Sequence, residues 1–288
     1  MAVDSECVLC RMRQALDVCN FIGADEATKQ NVLKSVMQIL IRGIEEDLPD
    51  GVGFHIQKEL KKLTNHDDPY KQVKAVSIAK ALELYPYLKS LVREADDPLK
   101  TAVELCIAGN VIDFGPSNNH DIELAVQQVL NAEKSIFHFE EFSSMLESAK
   151  TILILADNAG ETVFDRLLME QLDKQYYYAV KSEPTINDAL FEDAIASGID
   201  QVAQIVKNGS PVGGTHLPSC SEEFKALFYS ADMVISKGQA NFESLVNEQR
   251  QIFFLFKVKC ALLQKKHGLP LNEFVLLDNR KNEKVLTG

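Results

Sequence analysis

From residue 149 onward, short β-branched or aromatic runs alternate with stretches of helical spacing, and this alternation constrains the fold more than any other feature of the chain. The runs are "TILILA" (151–156), "YYYAV" (176–180), "QVAQIV" (201–206), "MVIS" (233–236) and "IFFLFKV" (252–258), with "FVLL" (274–277) as a sixth candidate. Between most of them lie "ETVFDRLLMEQL", "NDALFEDAIASG", "SEEFKALFYSA" and "NFESLVNEQ", whose apolar residues recur at helical intervals. Strands that alternate with helices must be joined by crossover connections. The pattern therefore predicts an α/β fold with a mostly parallel sheet covered by helices.

Before residue 145 the texture is helical. "DEATKQNVLKSVMQILIRGIEE" carries Val32, Leu33, Val36, Ile39, Leu40 and Ile44 at three- and four-residue intervals, one apolar face on a helix. "DPYKQVKAVSIAKALELYPYLKSLV" repeats the pattern, and Pro86 within it should kink or end the helix. "PLKTAVELCIAGNVIDFG" and "HDIELAVQQVLNAE" add two more helices, separated by the turn-rich "GPSNNH". The change of texture marks one boundary, giving a helical region over 1–148 and an α/β region over 149–288. With 46% hydrophobic residues, the chain has enough apolar side chain for a substantial core.

Charge narrows the function classes. Forty-two acidic residues against 30 Lys and Arg leave a formal net charge of −12, and no long basic run compensates. A nucleic-acid backbone is an unsuitable partner for such a surface. An anionic substrate would need a local cation, whether a lysine, a helix N-terminus or a metal. "MAVDSECVLCRMRQAL" lacks the charged and apolar regions of a leader, and no segment reaches 18 uninterrupted apolar residues. The expectation is a cytoplasmic protein with no membrane partner. Six scattered cysteines fit reduced thiols better than a disulfide scaffold.

In an open parallel sheet, ligands bind beyond the carboxyl ends of the strands. After "TILILA" come Asp157, Asn158, Gly160 and Glu161. "YYYAV" is followed by Lys181 and then by Asn187, Asp188 and Asp193, while "MVIS" leads into Lys237, Gly238, Gln239, Asn241 and Glu243. Lys257 and Lys259 close the fifth run. Carboxylates and an amide around a hard divalent cation, with a lysine nearby, form the inventory of phosphoryl hydrolysis. Asp157 and Asp188 with Asn158 as a neutral third ligand would leave positions for water and a phosphate oxygen, and oxygen donors suit Mg²⁺ or Mn²⁺.

Each piece also has a plainer explanation. Asp157 followed by Gly160 suits an ordinary strand-to-helix turn with an N-cap, Asn187 and Asp188 could cap the next helix, and Lys237 could be a loop lysine. Cys7 and Cys10 form a C-x-x-C in a predicted helix, with Cys19 nearby. A zinc site needs a fourth ligand and no second pair is present, so buried thiols are the simpler reading. The glycine-rich "SPVGGTH" around His216 lacks the spacing of a phosphate-binding loop.

Taken together, "LADNAGETVFD", "PTINDALFEDA", "ISKGQANFESL" and "CIAGNVIDF" resemble the metal-dependent damage-control phosphatase family, once known only as a domain of unknown function. The resemblance spans most of the chain. The early "CVLCRMRQALDVCNF" is similar to the stand-alone prokaryotic branch. It implies an N-terminal all-helical region on a three-layer α/β/α Rossmann-like domain, and hydrolysis of phosphomonoesters of sugars or related, including damaged, metabolites. It also implies a divalent cation, Mg²⁺ or Mn²⁺, with Co²⁺ or Ni²⁺ as alternatives. Asp157, Asn158 and Asp188 match the family's metal ligands, and Lys237 matches the lysine expected to hold the phosphate. Asn110 and Asp113 fall where the helical region closes over the site. Glu161, Asp193, Asn241 and Glu243 belong to the same motifs, with Glu161 and Asn241 expected at the substrate and Asp188 or Asp193 orienting water.

A haloacid dehalogenase phosphatase would need a second aspartate two residues after the first, and that position is Ala159. Metal-activated water is thus the expected nucleophile in place of Asp157. Two rival readings remain at this level: a carboxyl methyltransferase using S-adenosylmethionine, and a non-catalytic regulator that binds a metal or metabolite. The sequence leaves the substrate, the metal used and the oligomeric state open.

Overall fold

The computed structural model describes residues 4–48, 51–109 and 119–281. Within them the chain forms two compact units, one of residues 1–73 with 183–187 and 211–213, the other of 74–182, 188–210 and 214–288. The division is therefore not drawn at the change of texture near residue 148. It falls after Val73, and two short loop segments from the α/β half of the sequence belong to the first unit.

In the first unit, α1 (Ser5–Phe21), α2 (Glu26–Glu45) and α3 (Gly51–Thr64) share one core. Asp25 starts α2 by accepting a hydrogen bond from the Thr28 amide at 2.8 Å. Ala15, Val18 and Cys19 meet Val32, Val36 and Leu40 of α2, with Ile56 and Leu60 of α3 and Tyr70 completing the cluster. The face of α2 is narrower than its periodicity suggests, since Ile44 remains half exposed. Ile186 packs against this same cluster with φ at +48°, a conformation that a β-branched side chain adopts only under constraint.

The second unit is a layered α/β assembly. Among the described residues, six strands form one sheet: β1 (Thr151–Leu155), β2 (Gln175–Val180), β3 (Gln204–Lys207), β4 (Met233–Lys237), β5 (Phe253–Lys257) and β6 (Phe274–Asp278). Their spatial order is β3-β2-β1-β4-β5-β6, with β1 to β5 parallel and β6 antiparallel to β5. The chain runs outward from β1 through β2 to β3, then crosses back to build β4 to β6 on the other side. Strand order reverses between β1 and β4, where such sheets open a crevice.

Helices cover both faces. Ile152 and Ile154 of β1 point into a core built with α4 (Lys71–Glu94), α5 (Pro98–Ala108), α6 (Asn119–Asn131), α7 (Phe139–Ser148), α8 (Thr162–Met169) and α9 (Phe191–Ala196). Leu153 and Leu155 point to the opposite core, with α10 (Glu222–Ser230), α11 (Gln239–Leu245) and α12 (Ala261–His267). This alternation within fully buried strands explains why the runs read as continuously apolar. The architecture is the expected α/β/α sandwich.

Two local expectations change. Pro86 neither ends α4 nor confines its buried face, because Ile78, Ala81 and Leu84 before it and Leu88 and Val92 after it are all buried on the core. That packing outweighs the single hydrogen bond a proline removes. Strand β3 begins at Gln204 because residues Ile199–Gln201 form a 3₁₀ turn entered through Gly198. Among the described residues, no helix is long and apolar enough to cross a membrane.

Candidate active site

The sequence motifs converge where β1, β2 and β4 end. Backbone pairing does much of the assembly: Asn158 and Asp188 form an isolated antiparallel bridge, and the Ala189 amide donates to the Asp157 carbonyl at 2.8 Å. Lys181 continues β2 and pairs with Leu190, its amide donating to the Ala189 carbonyl at 3.0 Å. The loop that carries Asp188 is thus stitched to the ends of β1 and β2, which brings Asp157, Asn158 and Asp188 to one place. Asn110 and Asp113 lie outside the described residues.

Asn158 donates its amide to Asp157 Oδ2 at 3.1 Å and to Glu161 Oε1 at 2.6 Å. Burial pushes the Asp157 carboxyl well above the usual carboxylate range, and the neighbouring charges of Glu161 and Asp188 push it further. Asp188 is likewise raised, to about 6, by burial and Glu161 against the opposing pull of Lys181 and Lys74. Neighbouring carboxyls whose pKa values are raised by burial and by a shared acidic neighbour mark a place that favours a cation. Close approach is built into the backbone: Gly238 adopts φ +78°, and a Cβ there would lie 2.0 Å from Asp157 Oδ2.

Three lysines surround these acids. Lys237 is fully buried on the same strand face as Ile235, and its ammonium donates to Asp165 Oδ1 at 2.5 Å and Glu161 Oε2 at 3.1 Å. Asp165 also accepts from Tyr178 Oη at 2.6 Å and Cys106 Sγ at 3.0 Å. Burial alone would lower the Lys237 pKa, but Asp165, Cys106 and Glu161 outweigh it and hold the ammonium charged. Lys181, also buried, donates to the Gly214 carbonyl and lies 3.7 Å from Asp188 Oδ2. Lys74 of α4 pairs with Asp193 Oδ2 at 2.8 Å.

The remaining expected residues are held by the fold. Asn241 is buried and spends both amide donors on the carbonyls of Ala156 and Lys237, tying the ends of β1 and β4 across the crevice, while Thr215 donates to its oxygen. Asp193 accepts from the Leu190 amide at 2.9 Å and so closes the start of α9. Glu161 is buried between Lys237 and Asn158. Glu243 pairs with Gln239 on the exposed face of α11. His216 bonds locally to Ser219. Cys10 is exposed and Cys7 partly so, against the expectation of buried thiols, because the buried face of α1 is formed by Ala15, Val18 and Cys19 further along the helix.

Several contributors are not apparent as site residues in the sequence. Asp165 has a signal, an acid among the apolar residues Val163, Phe164, Leu167 and Leu168 one turn after Glu161. Lys181 stands in the strand-end inventory of the sequence, and what the structure adds is its place 3.7 Å from Asp188 Oδ2. Tyr178 and Cys106 carry none, since both types are common in cores.

The donor set can be tested against a cation. Asp157, Glu161, Asp165, Asp188 and Asp193 place five carboxyl groups near the strand ends, with Lys74, Lys181, Lys237 and the charge of Lys259 opposing them. Among the described residues no three His, Cys, Asp or Glu side chains are grouped to hold a metal. The candidate set instead has two carboxylates and an amide, whose oxygen must replace its nitrogen toward the cation. Hard oxygen donors in a carboxylate-rich setting fit a divalent ion such as Mg²⁺ or Mn²⁺.

Residues 3–274 match the model of the damage-control phosphatase ARMT1-like domain. The chain belongs to this damage-control phosphatase family. It is 31% identical over 288 residues to a damage-control phosphatase of Pyrococcus horikoshii, covering 97% of this chain and 99% of that one. Identity to an uncharacterized protein of Methanocaldococcus jannaschii is 36% over 289 residues, 96% of this chain and 95% of the relative. A damage-control phosphatase of Archaeoglobus fulgidus is 27% identical over 96% of this chain and 98% of its own length. The crystal structure of a DUF89 family protein from Pyrococcus horikoshii shares the fold with a TM-score of 0.89 at 31% identity, covering 97% and 99% of the two chains. Membership in the damage-control phosphatase family supports a phosphatase role on a small-molecule substrate.

Proposed function

We propose that this chain is a divalent-metal-dependent phosphatase, with Mg²⁺ or Mn²⁺ held by Asp157, Asn158 and Asp188, acting on phosphomonoesters of sugars or related metabolites in the cytoplasm. The observation that carries the reading is the backbone pairing that brings Asp157, Asn158 and Asp188 together at the strand-order reversal, where burial and Glu161 raise both carboxyls. A divalent cation supplies Lewis acidity toward phosphoryl oxygens and water, which no side chain of this set provides.

The chain's own groups orient the reactants. Asp157 and Asp188 are fixed by backbone pairing, so their carboxylates need little reorganisation. Lys237 is enclosed by Asp165 and Glu161 and serves to hold Glu161, which in turn holds Asn158. The lysine we assign to the substrate phosphate is Lys259, exposed beyond β5, whose charge acts on Asp157. Ligation of a divalent cation requires the raised Asp188 carboxyl in its ionised form.

The test is hydrolysis of p-nitrophenyl phosphate with Mn²⁺, Mg²⁺ or EDTA. Activity should vanish on chelation, return with Mn²⁺ and be absent in Asp157→Ala. Undiminished turnover after chelation overturns the reading. Thermal stabilisation by S-adenosylmethionine without any by Mn²⁺ would favour a methyltransferase.

A further inference from the structure

The ion pair between Lys74 and Asp193 lies outside the chemistry proposed above, yet it is among the most enclosed in the protein, with Lys74 only 2% exposed. Asp193 Oδ2 is its pivot. That one oxygen receives the Lys74 ammonium at 2.8 Å and the Leu190 amide at 2.9 Å. Leu190 follows Ala189, whose amide and carbonyl bond to Asp157 and Lys181, and Ala189 follows Asp188. The loop 188–190 is therefore gripped on two sides, by the strand ends and by the Asp193 carboxylate. A carboxylate on a short helix can turn about two side-chain bonds, and the buried ammonium is what fixes its direction.

We infer that Lys74 is a positioning residue for Asp188: through Asp193 it holds the 188–190 loop in the place where Asp188 can ligate a divalent cation. The inference rests on the metal-site reading. A cation held here needs the loop in place, so loss of Lys74 should be felt first as weaker metal binding.

The experiment measures Mn²⁺ affinity of the full chain by electron paramagnetic resonance, and amide hydrogen exchange at Ala189 and Leu190 without metal. In Lys74→Met the Mn²⁺ dissociation constant should rise about tenfold or more and the two amides should exchange faster. At saturating Mn²⁺, kcat should return to within about threefold of wild type. Lys74→Arg keeps the pair and should restore affinity to within about threefold. Should Lys74→Met fail to fold, Asp193→Asn, which keeps an oxygen for the Leu190 amide but removes the ion pair, should still raise the dissociation constant severalfold. Unchanged Mn²⁺ affinity and unchanged exchange in either folded variant would overturn the inference. A wild-type protein that binds no Mn²⁺ would instead remove the metal-site reading, while the exchange data would still decide whether Lys74 holds the loop.

Discussion

Gly238→Ala is the sharpest probe of the site, because one methyl group tests two costs that can be separated. The first is conformational: Gly238 has φ +78° and ψ 162°, a region open almost only to glycine, and forcing an L-residue into it costs about 1–3 kcal/mol. The second is steric. The new Cβ would stand 2.0 Å from Asp157 Oδ2 and 2.1 Å from its Cγ, whereas ordinary contact begins near 3.4 Å. The carboxylate must therefore retreat by more than about 1 Å, a displacement that can cost on the order of 10²-fold in rate. Gly268→Ala serves as the control, since its φ is +65° but nothing lies within 4 Å of the added carbon. It should lose about 1 kcal/mol of stability and keep full activity. Thermal unfolding and Mn²⁺-dependent hydrolysis of p-nitrophenyl phosphate read the two costs. A Gly238→Ala protein with wild-type Mn²⁺ affinity and turnover would refute the claim that Asp157 acts from its observed place.

Two further outcomes follow from burial and charge. Lys237→Met leaves Asp165 and Glu161 without their cation and should destabilise the protein by about 3–5 kcal/mol in urea unfolding, whereas the exposed Lys259→Met should change stability by less than about 0.5 kcal/mol while lowering activity. The Asp188 carboxyl, ordinarily near 3.8, titrates at about 6 in the folded chain. The native state then binds more protons than the unfolded state between those values, so metal-free stability should fall as pH rises from about 4 to about 6. Melting curves in EDTA should show a steeper decline in wild type than in Asp188→Asn, where the raised Asp157 carboxyl still contributes; matching profiles would refute the assignment.

Much of this fold is legible in the sequence because strands buried on both faces cannot hide their composition. Leu153 and Ile154 point to opposite cores, and both must be apolar. The placement of Asp157, Asn158 and Asp188 at one edge follows from strand ends alone, once the sheet is parallel. What the sequence conceals is direction. Lys237 stands at a strand end like any candidate ligand, but its register puts it on the face of Ile235, beneath the crevice, where it meets Asp165 and Glu161. Lys74 is concealed for a different reason: its partner Asp193 is 119 residues away, and no local pattern encodes that meeting. Pro86 shows the limit of a local rule, since the buried residues on both sides of it decide the helix.

The make-up of the first unit bears on synthesis. Its helices are complete by residue 73, but its last pieces are 183–187 and 211–213, and Ile186 enters its core. At roughly 5–20 residues per second, the ribosome delivers Ile186 about 6–23 s and residue 213 about 7–28 s after residue 73. During that interval the three-helix cluster lacks one of the apolar side chains that pack against it, so the first unit is finished only after β2 has been made.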